Sequence, residues 1–325
     1  MRSSKVLFCA MAVTACAATD GDLLRSSPDA SLPDASTSDA ALPDASSDAA
    51  LPDASSDASL PDASIADAST PDASTPDASV PDARGDAPTP RPKPEPLTTW
   101  QIQLSGALDT TVDARVYVSD LDDTPASAIR ALHSAGRIVI CYFSGGTRES
   151  FRDDAPRFPP ESLGMPLSNY PNERWIDVRN ATVRTIMQDR LAKAARVECD
   201  GVYASGLAAF EMQTGLAFDR ADQLAYDRFL ATAAHALGLS IGLPDGDPIL
   251  SQELLADFDW KVVFSCLAAG CPSATPFVGA RKAALLIEYG DESRVAEVCP
   301  KAKGLSLSAI IKKNGNLDAF RVGCP

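Results

Sequence analysis

Residues 136–155 read GRIVICYFSGGTRESFRDDA, and this stretch decides the fold. Ile138, Val139 and Ile140 are β-branched and apolar without alternation, the pattern of a parallel strand covered on both faces. The run stops in a loop dense with Ser144, Gly145, Gly146, Thr147, Glu149, Arg152, Asp153 and Asp154. An apolar strand whose carboxyl end opens into polar groups is how a barrel delivers side chains to a ligand-binding mouth.

Working outward, similar strand-like runs occupy residues 100–104, 115–118, 174–178, 201–203, 240–243, 260–264 and 283–288. Helical patterns separate most of them: residues 125–134 with Pro125 at the start, 183–195, and 219–237 with Leu224, Phe229, Ala233 and Leu237 on one face. Eight strands alternating with helices is the arithmetic of an α/β fold of the (β/α)8 TIM-barrel type. A ninth run, residues 305–311, competes for a strand place. An open doubly wound sheet is the alternative, although no G-x-G-x-x-G follows a strand to favour it.

The chain ahead of residue 98 divides into two pieces. Arg2 and Lys5 precede the apolar run 6–15, which has signal-peptide length and is too short to span a membrane. The run closes with Val13-Thr14-Ala15-Cys16, which resembles the lipobox of bacterial lipoproteins. Residues 1–15 are therefore expected to be a lipoprotein signal peptide and Cys16 the lipidated mature N-terminus, the other reading being an ordinary secretory signal. Residues 16–97 form a drifting Pro-Asp-Ala-Ser repeat with almost no large apolar side chain, so a disordered stalk is expected there. Residues 98–325 make the barrel domain.

The charge follows this division. The chain carries a net charge of −15, of which −12 falls between residues 17 and 97. The domain itself is close to balanced, and no basic patch interleaved with aromatics argues for nucleic acid. Of eight Cys, Cys9 lies in the leader and Cys16 is the lipid candidate, leaving six in an exported domain. Cys266–Cys271 and Cys299–Cys324 are the expected disulfides, whereas Cys141 and Cys199 sit on strand positions as buried thiols or a further bridge. His133 and His235 stand apart from any Cys pair, so they read as packing or surface residues and no metal or cofactor is expected.

Residues 100–324 resemble the glycoside hydrolase family 114 TIM-barrel domain, the endo-α-1,4-polygalactosaminidase family. The resemblance is carried in order by Trp100-Gln101-Ile102-Gln103-Leu104-Ser105-Gly106, Val116-Tyr117-Val118-Ser119-Asp120-Leu121, and Cys141-Tyr142-Phe143-Ser144-Gly145-Gly146 with Glu149, Arg152 and Asp154. It continues through Asn172-Glu173-Arg174-Trp175-Ile176-Asp177, Cys199-Asp200-Gly201-Val202 and Glu288-Tyr289-Gly290. The departures are as informative. The resemblance implies a nucleophilic Asp where this chain has Ser205 and an acidic proton donor where it has Phe264, and a Lys-Asn pair is replaced by Pro244-Asp245. Retaining glycosidases need two carboxyl groups, and neither Ser205 nor Phe264 can act as one.

Other acids are candidates for the missing roles: Asp177, Glu288 and Asp120 at strand ends, with Glu149, Asp200, Glu211 and Asp245 near them in sequence. The resemblance makes Asp120, Tyr142, Ser144, Glu149, Arg152, Asp177 and Glu288 substrate-binding residues. A plainer reading of Asp177 and Arg152 is an ion pair that ties loops together. Trp100, Tyr142, Trp175 and Tyr203 read as sugar-stacking platforms or as core. The expectation is a surface lipoprotein, monomeric, exported and lipid-anchored at the outer membrane or cell surface. It would bind an amino-sugar polysaccharide without cutting it, the alternative being an active glycosidase with a relocated carboxylate pair. A purely structural surface role is the third reading.

Overall fold

The computed structural model describes residues 89–324. The leader, Cys16 and most of the Pro-Asp-Ala-Ser stretch lie outside the described residues. Eight parallel strands form the barrel wall: β1 (Trp100–Gln103), β2 (Val116–Asp120), β3 (Ile138–Ser144), β7 (Gly201–Ser205), β8 (Ser240–Leu243), β9 (Trp260–Phe264), β10 (Ala284–Tyr289) and β11 (Ser308–Lys312), paired in that order. Helices α1 (Ala126–Ser134), α2 (Ala181–Arg196), α3 (Arg220–Ala236), α4 (Pro248–Glu253), α5 (Thr275–Gly279) and α6 (Val295–Gly304) connect them. A short strand, β12 (Val322–Gly323), pairs antiparallel with β11.

The helix starts follow from local chemistry. Asn180 accepts the N–H groups of Thr182 and Val183 ahead of α2. Asp219 and Asp222 cap each other's backbone ahead of α3. Strand alternation sends Ile140, Tyr142, Tyr203, Trp260, Val262 and Ile287 into the lumen, where they form one apolar cluster. Their outward neighbours, such as Val139, Phe143, Val202 and Ile241, pack beneath the helices. Gly242 is required here: a Cβ on it would stand 2.4 Å from the Trp260 ring, which crosses the lumen at that level.

One expected barrel strand lies elsewhere. Residues 174–178 belong in part to β6 (Tyr170–Ile176), the centre of an antiparallel side sheet with β4 (Thr147–Glu149) and β5 (Leu163–Leu167). The reason is polarity: along β6 only Trp175 and Ile176 are buried, whereas β3, covered on both faces, is buried throughout. The eighth wall strand is instead the competing run, at Ser308–Lys312, and every residue of it is buried.

The barrel closes between β1 and β11 through side chains. Trp100 Nε1–H donates to Ser308 O at 2.8 Å, and Lys312 Nζ donates to Ile102 O at 3.0 Å and Asp318 O at 2.6 Å. The segment before β12 fills the seam, with Leu104 N–H on Leu317 O and Arg321 Nε on Trp100 O.

Three disulfides are present among the described residues. Cys266–Cys271 and Cys299–Cys324 form as expected, and Cys141–Cys199 joins β3 to the turn before β7. At the opposite end of the barrel from the strand carboxyl termini, residues 91–97 are held rather than loose. Arg91 donates to the carbonyls of Ala195 and Cys199, and Lys93 pairs with Asp259 at 2.9 Å. The folded part thus begins several residues before residue 98, because these cations meet carbonyl and carboxylate groups at the helix-to-strand turns.

Candidate functional site

The carboxyl ends of β2, β3 and β7 meet in one polar cluster. Asp120 continues the inward-facing series of Val116 and Val118 and is buried. It accepts two parallel bonds from Arg152, at 3.0 and 2.6 Å, and the backbone N–H groups of Asp122 and Asp123. Arg152 also donates through Nε to Glu149 at 2.8 Å, so one guanidinium binds the end of β2 to the side sheet. Burial works against the charge on Arg152, but the Glu149 and Asp120 carboxylates override it and raise its proton affinity.

Tyr142 and Ser205 come from neighbouring strands in register, Tyr142 on β3 beside Tyr203 and Ser144 beside Ser205 on β7. Tyr142 Oη and Ser205 Oγ are 2.9 Å apart. Burial and the nearby Glu149 and Glu173 carboxyls push the Tyr142 phenol well above its ordinary pKa. The two strand ends touch backbone to backbone: Gly145 and Gly146 both donate to Ser205 O at 2.8 Å. A Cβ on Gly146 would lie 2.0 Å from Gly206 O, so only glycine permits this approach.

Above the cluster the side sheet adds a carboxyl that sequence reasoning did not single out. Glu173 on β6 stands directly opposite Glu149 on β4 in the antiparallel ladder. Both lie on the face that carries Thr147 and Trp175, while Arg148 and Arg174 take the other face. Glu173 Oε2 accepts from Thr147 Oγ1 at 3.0 Å, and Thr147 in turn meets Ser144 Oγ. Burial first, then the Glu149 charge, lifts Glu173 to about 7, with the Thr147 hydroxyl and Arg152 opposing. Glu149 is raised as well, chiefly by burial. The signal available in the sequence was the alternation across Glu173-Arg174-Trp175-Ile176, which marks a two-sided strand.

The remaining candidates lie elsewhere. Asp177 follows β6 and is gripped by Arg179 through two bonds of 2.9 Å, which lower its pKa. Arg152 therefore does form buried ion pairs, with Asp120 and Glu149, while Asp177 has a separate arginine. Glu288 shares the outward parity of Leu286 on β10, accepting from Leu267 N–H and Arg294 at 3.2 Å each, so it faces the helical layer. Asp200 precedes β7, at the other end of the barrel, bonded to His133. Asp245 is at the mouth, fixed by Phe264 N–H at 3.0 Å and Ser273 Oγ at 2.7 Å. Ser205 and Phe264 close the inward series of β7 and β9 and are both partly exposed.

Trp100, Tyr142, Trp175 and Tyr203 are all buried and belong to the core. The exposed aromatic beside the cluster is Phe151, 42% accessible and capped by the Arg152 guanidinium 5.1 Å from its ring centre. Its flanking residues, Ser150 and Arg152, are polar, and that isolation was the signal for it. Among the described residues no group of three or more His, Cys, Asp and Glu could hold a metal ion. Nor is any helix among them long and apolar enough to cross a membrane.

A parallel eight-stranded barrel with hydroxyls, acids and an arginine gathered at the strand carboxyl ends has the layout of the barrel glycosidases. The model of glycoside-hydrolase family GH114 matches residues 81–325, and the chain belongs to that family. The crystal structure of Aspergillus fumigatus Ega3 in complex with galactosamine is 35% identical and superposes with a TM-score of 0.69, covering 74% of this chain and 100% of its own. The glycoside hydrolase domain of PelA from Pseudomonas aeruginosa, 14% identical, covers 69% of this chain and 97% of its own with a TM-score of 0.54, a likeness of fold. No curated protein matches the chain.

Proposed function

We propose that this barrel binds an amino-sugar polysaccharide at its mouth without cleaving it. The observation that carries the reading is the pair Ser205 and Phe264. They end the inward series of β7 and β9, where the family resemblance implies nucleophile and proton donor, and neither side chain is a carboxyl. The ligand class is supported by the galactosamine held by Ega3. Asp120, Tyr142, Ser144, Glu149 and Arg152 supply a buried polar floor at the strand ends, and Phe151 offers an exposed ring for a sugar face.

Hydrolysis by relocated carboxyls is the competing reading. Glu173, titrating near neutrality, is the observation in its favour. Against it, Asp120, Asp177 and Glu288 are each held by an arginine. The deciding experiment incubates the protein with an α-1,4-linked galactosamine oligomer and follows both binding and product formation. Binding without products supports a lectin-like barrel; products that disappear in Glu173→Gln overturn it.

The proposal extends to placement. Residues 1–15 act as a lipoprotein signal, Cys16 carries the lipid, the Pro-Asp-Ala-Ser residues between it and residue 91 form a stalk, and the remainder presents a monomeric barrel at the cell envelope. The lipobox-like Val13-Thr14-Ala15-Cys16 supports this. Cys16→Ser is expected to move the protein from the membrane fraction to the soluble fraction; retention with membranes refutes the anchor.

A further inference from the structure

We propose that Asp227 and Gln223, buried on the inner face of α3, share one proton as an acid–amide pair, and that losing this proton at alkaline pH loosens α3 from the strand end it holds at the mouth.

Gln223 and Asp227 lie one turn apart on the face of α3 that otherwise buries Tyr226, Leu230, Ala231 and Ala234. Both are fully buried. Gln223 Nε2 donates to Asp227 Oδ1 at 2.8 Å. The other two oxygens of the pair, Gln223 Oε1 and Asp227 Oδ2, are buried and meet no donor among the described residues. Leaving two buried acceptors unbonded is costly, and a buried carboxylate without a cation is costlier still. One proton on Asp227 Oδ2, donated to Gln223 Oε1, satisfies both oxygens and removes the charge. Burial acts in the same direction, holding the Asp227 carboxyl well above its ordinary range against the opposing pull of the Gln223 bond and Arg228. No neighbouring element supplies a cation to Asp227. From α2, Arg184 and Arg190 act on Tyr226 instead, Arg184 lying 5.9 Å from its ring centre. β8 carries no titratable side chain, and Glu211 of the turn Ala209–Glu211 interacts with Asp245, Asp247 and Arg220. Arg228, on α3 itself, pairs with Asp257 at 3.3 Å.

The residue next to Asp227 connects this pair to the mouth. Tyr226 Oη donates to Gly145 O at 2.6 Å, and the Gly145 and Gly146 N–H groups both donate to Ser205 O at 2.8 Å. Ionisation breaks the Asp227 Oδ2–H bond and passes the proton to water. A carboxylate and an amide oxygen are then left buried with no donor between them, while the Gln223 Nε2 bond to Oδ1 persists. Hydrating that carboxylate requires this turn of α3 to lift from the sheet, and the Tyr226–Gly145 bond lifts with it.

Asp227→Asn tests this on the full chain, because the asparagine amide can donate where the acid proton stood and keeps both bonds without titrating. In protein labelled with 13C-aspartate, the Asp227 Cγ resonance, assigned through its own backbone and absent from the variant, is expected to stay at its protonated position through neutral pH. Only the unfolded chain then releases the proton. In denaturant melts the unfolding constant of the unmodified protein, divided by that of Asp227→Asn, should therefore grow about tenfold per pH unit between about pH 4.5 and 7. At the alkaline pH where the Cγ resonance moves, the Gly145 and Gly146 amides should exchange faster in the unmodified protein than in Asp227→Asn at the same pH. Tyr226→Phe, which cuts the link, should abolish that difference. A Cγ resonance at the carboxylate position at neutral pH, or a ratio that does not change with pH, overturns the shared proton. Equal exchange of the two glycine amides, or a resonance that never moves before global unfolding, overturns the coupling to the mouth.

Discussion

Ser205 Oγ stands 2.9 Å from Tyr142 Oη at the point where β3 and β7 end together. A serine there makes one contact to the neighbouring strand in place of a charged group, and two strands further round the rim Phe264 ends the inward series of β9 with an apolar ring. The mouth keeps the polar frame of a glycosidase and lacks titratable groups at these two positions.

Restoring both acids is therefore constructive. Ser205→Asp with Phe264→Glu is expected to create cleavage of an α-1,4-linked galactosamine oligomer, whereas either change alone leaves product at background, because the two carboxyls act as a unit. Reducing-end release measured on the three variants checks this, and a silent double variant means the rest of the site has drifted too.

Stability should fall as pH rises through the mildly acid range. Glu173 sits at about 7 in the fold against an ordinary value of 4.5. The folded protein thus keeps a proton that the unfolded chain has released, and each step from about pH 4.5 to 7 favours unfolding. Glu173→Gln removes this penalty. It is expected to stabilise the protein by about 2–3 kcal/mol at pH 8, discounted for partial exposure, with little difference below pH 4. Denaturant melts at several pH values measure it; a constant offset across pH contradicts the assignment.

Lys312 tests the seam. Its buried ammonium donates to carbonyls on both sides of the gap between β1 and β11, and burial pulls its pKa down to about 8. Lys312→Met keeps the volume and leaves two buried carbonyls unbonded, an expected loss of about 2–4 kcal/mol in chemical denaturation. Arg321→Met, at a less buried part of the seam, should cost less.

The disulfides should rank by the loop each closes. Cys141–Cys199 spans 58 residues and Cys266–Cys271 only 5. Replacing the first pair by Ala is expected to cost about 4 kcal/mol and the second about 2 kcal/mol. Thermal unfolding of both double variants gives the order.

What the sequence determined by itself is what local pattern carries. Unbroken β-branched runs such as Ile138–Val139–Ile140 announce strands buried on both faces, Pro125 and Asp219 announce helix starts, and the absence of a carboxyl at Ser205 and Phe264 is visible in one dimension. Cys266–Cys271 and Cys299–Cys324 were also legible, being close in sequence. Tertiary structure decided which runs became barrel wall: residues 174–178 and 305–311 both offer strand-length runs, but the first carries Arg174 and Asp177 and goes to the two-sided side sheet built between β3 and β7, whereas the second is buried throughout as β11. The same holds for charge. Asp120, Glu149, Asp177 and Glu288 look alike in sequence, yet which arginine each one meets depends on side chains brought together from up to 32 residues away. Glu173 acquired its properties the same way: a ladder placed it across from Glu149, 24 positions earlier in the chain, and burial there, which no local pattern encodes, raised its pKa.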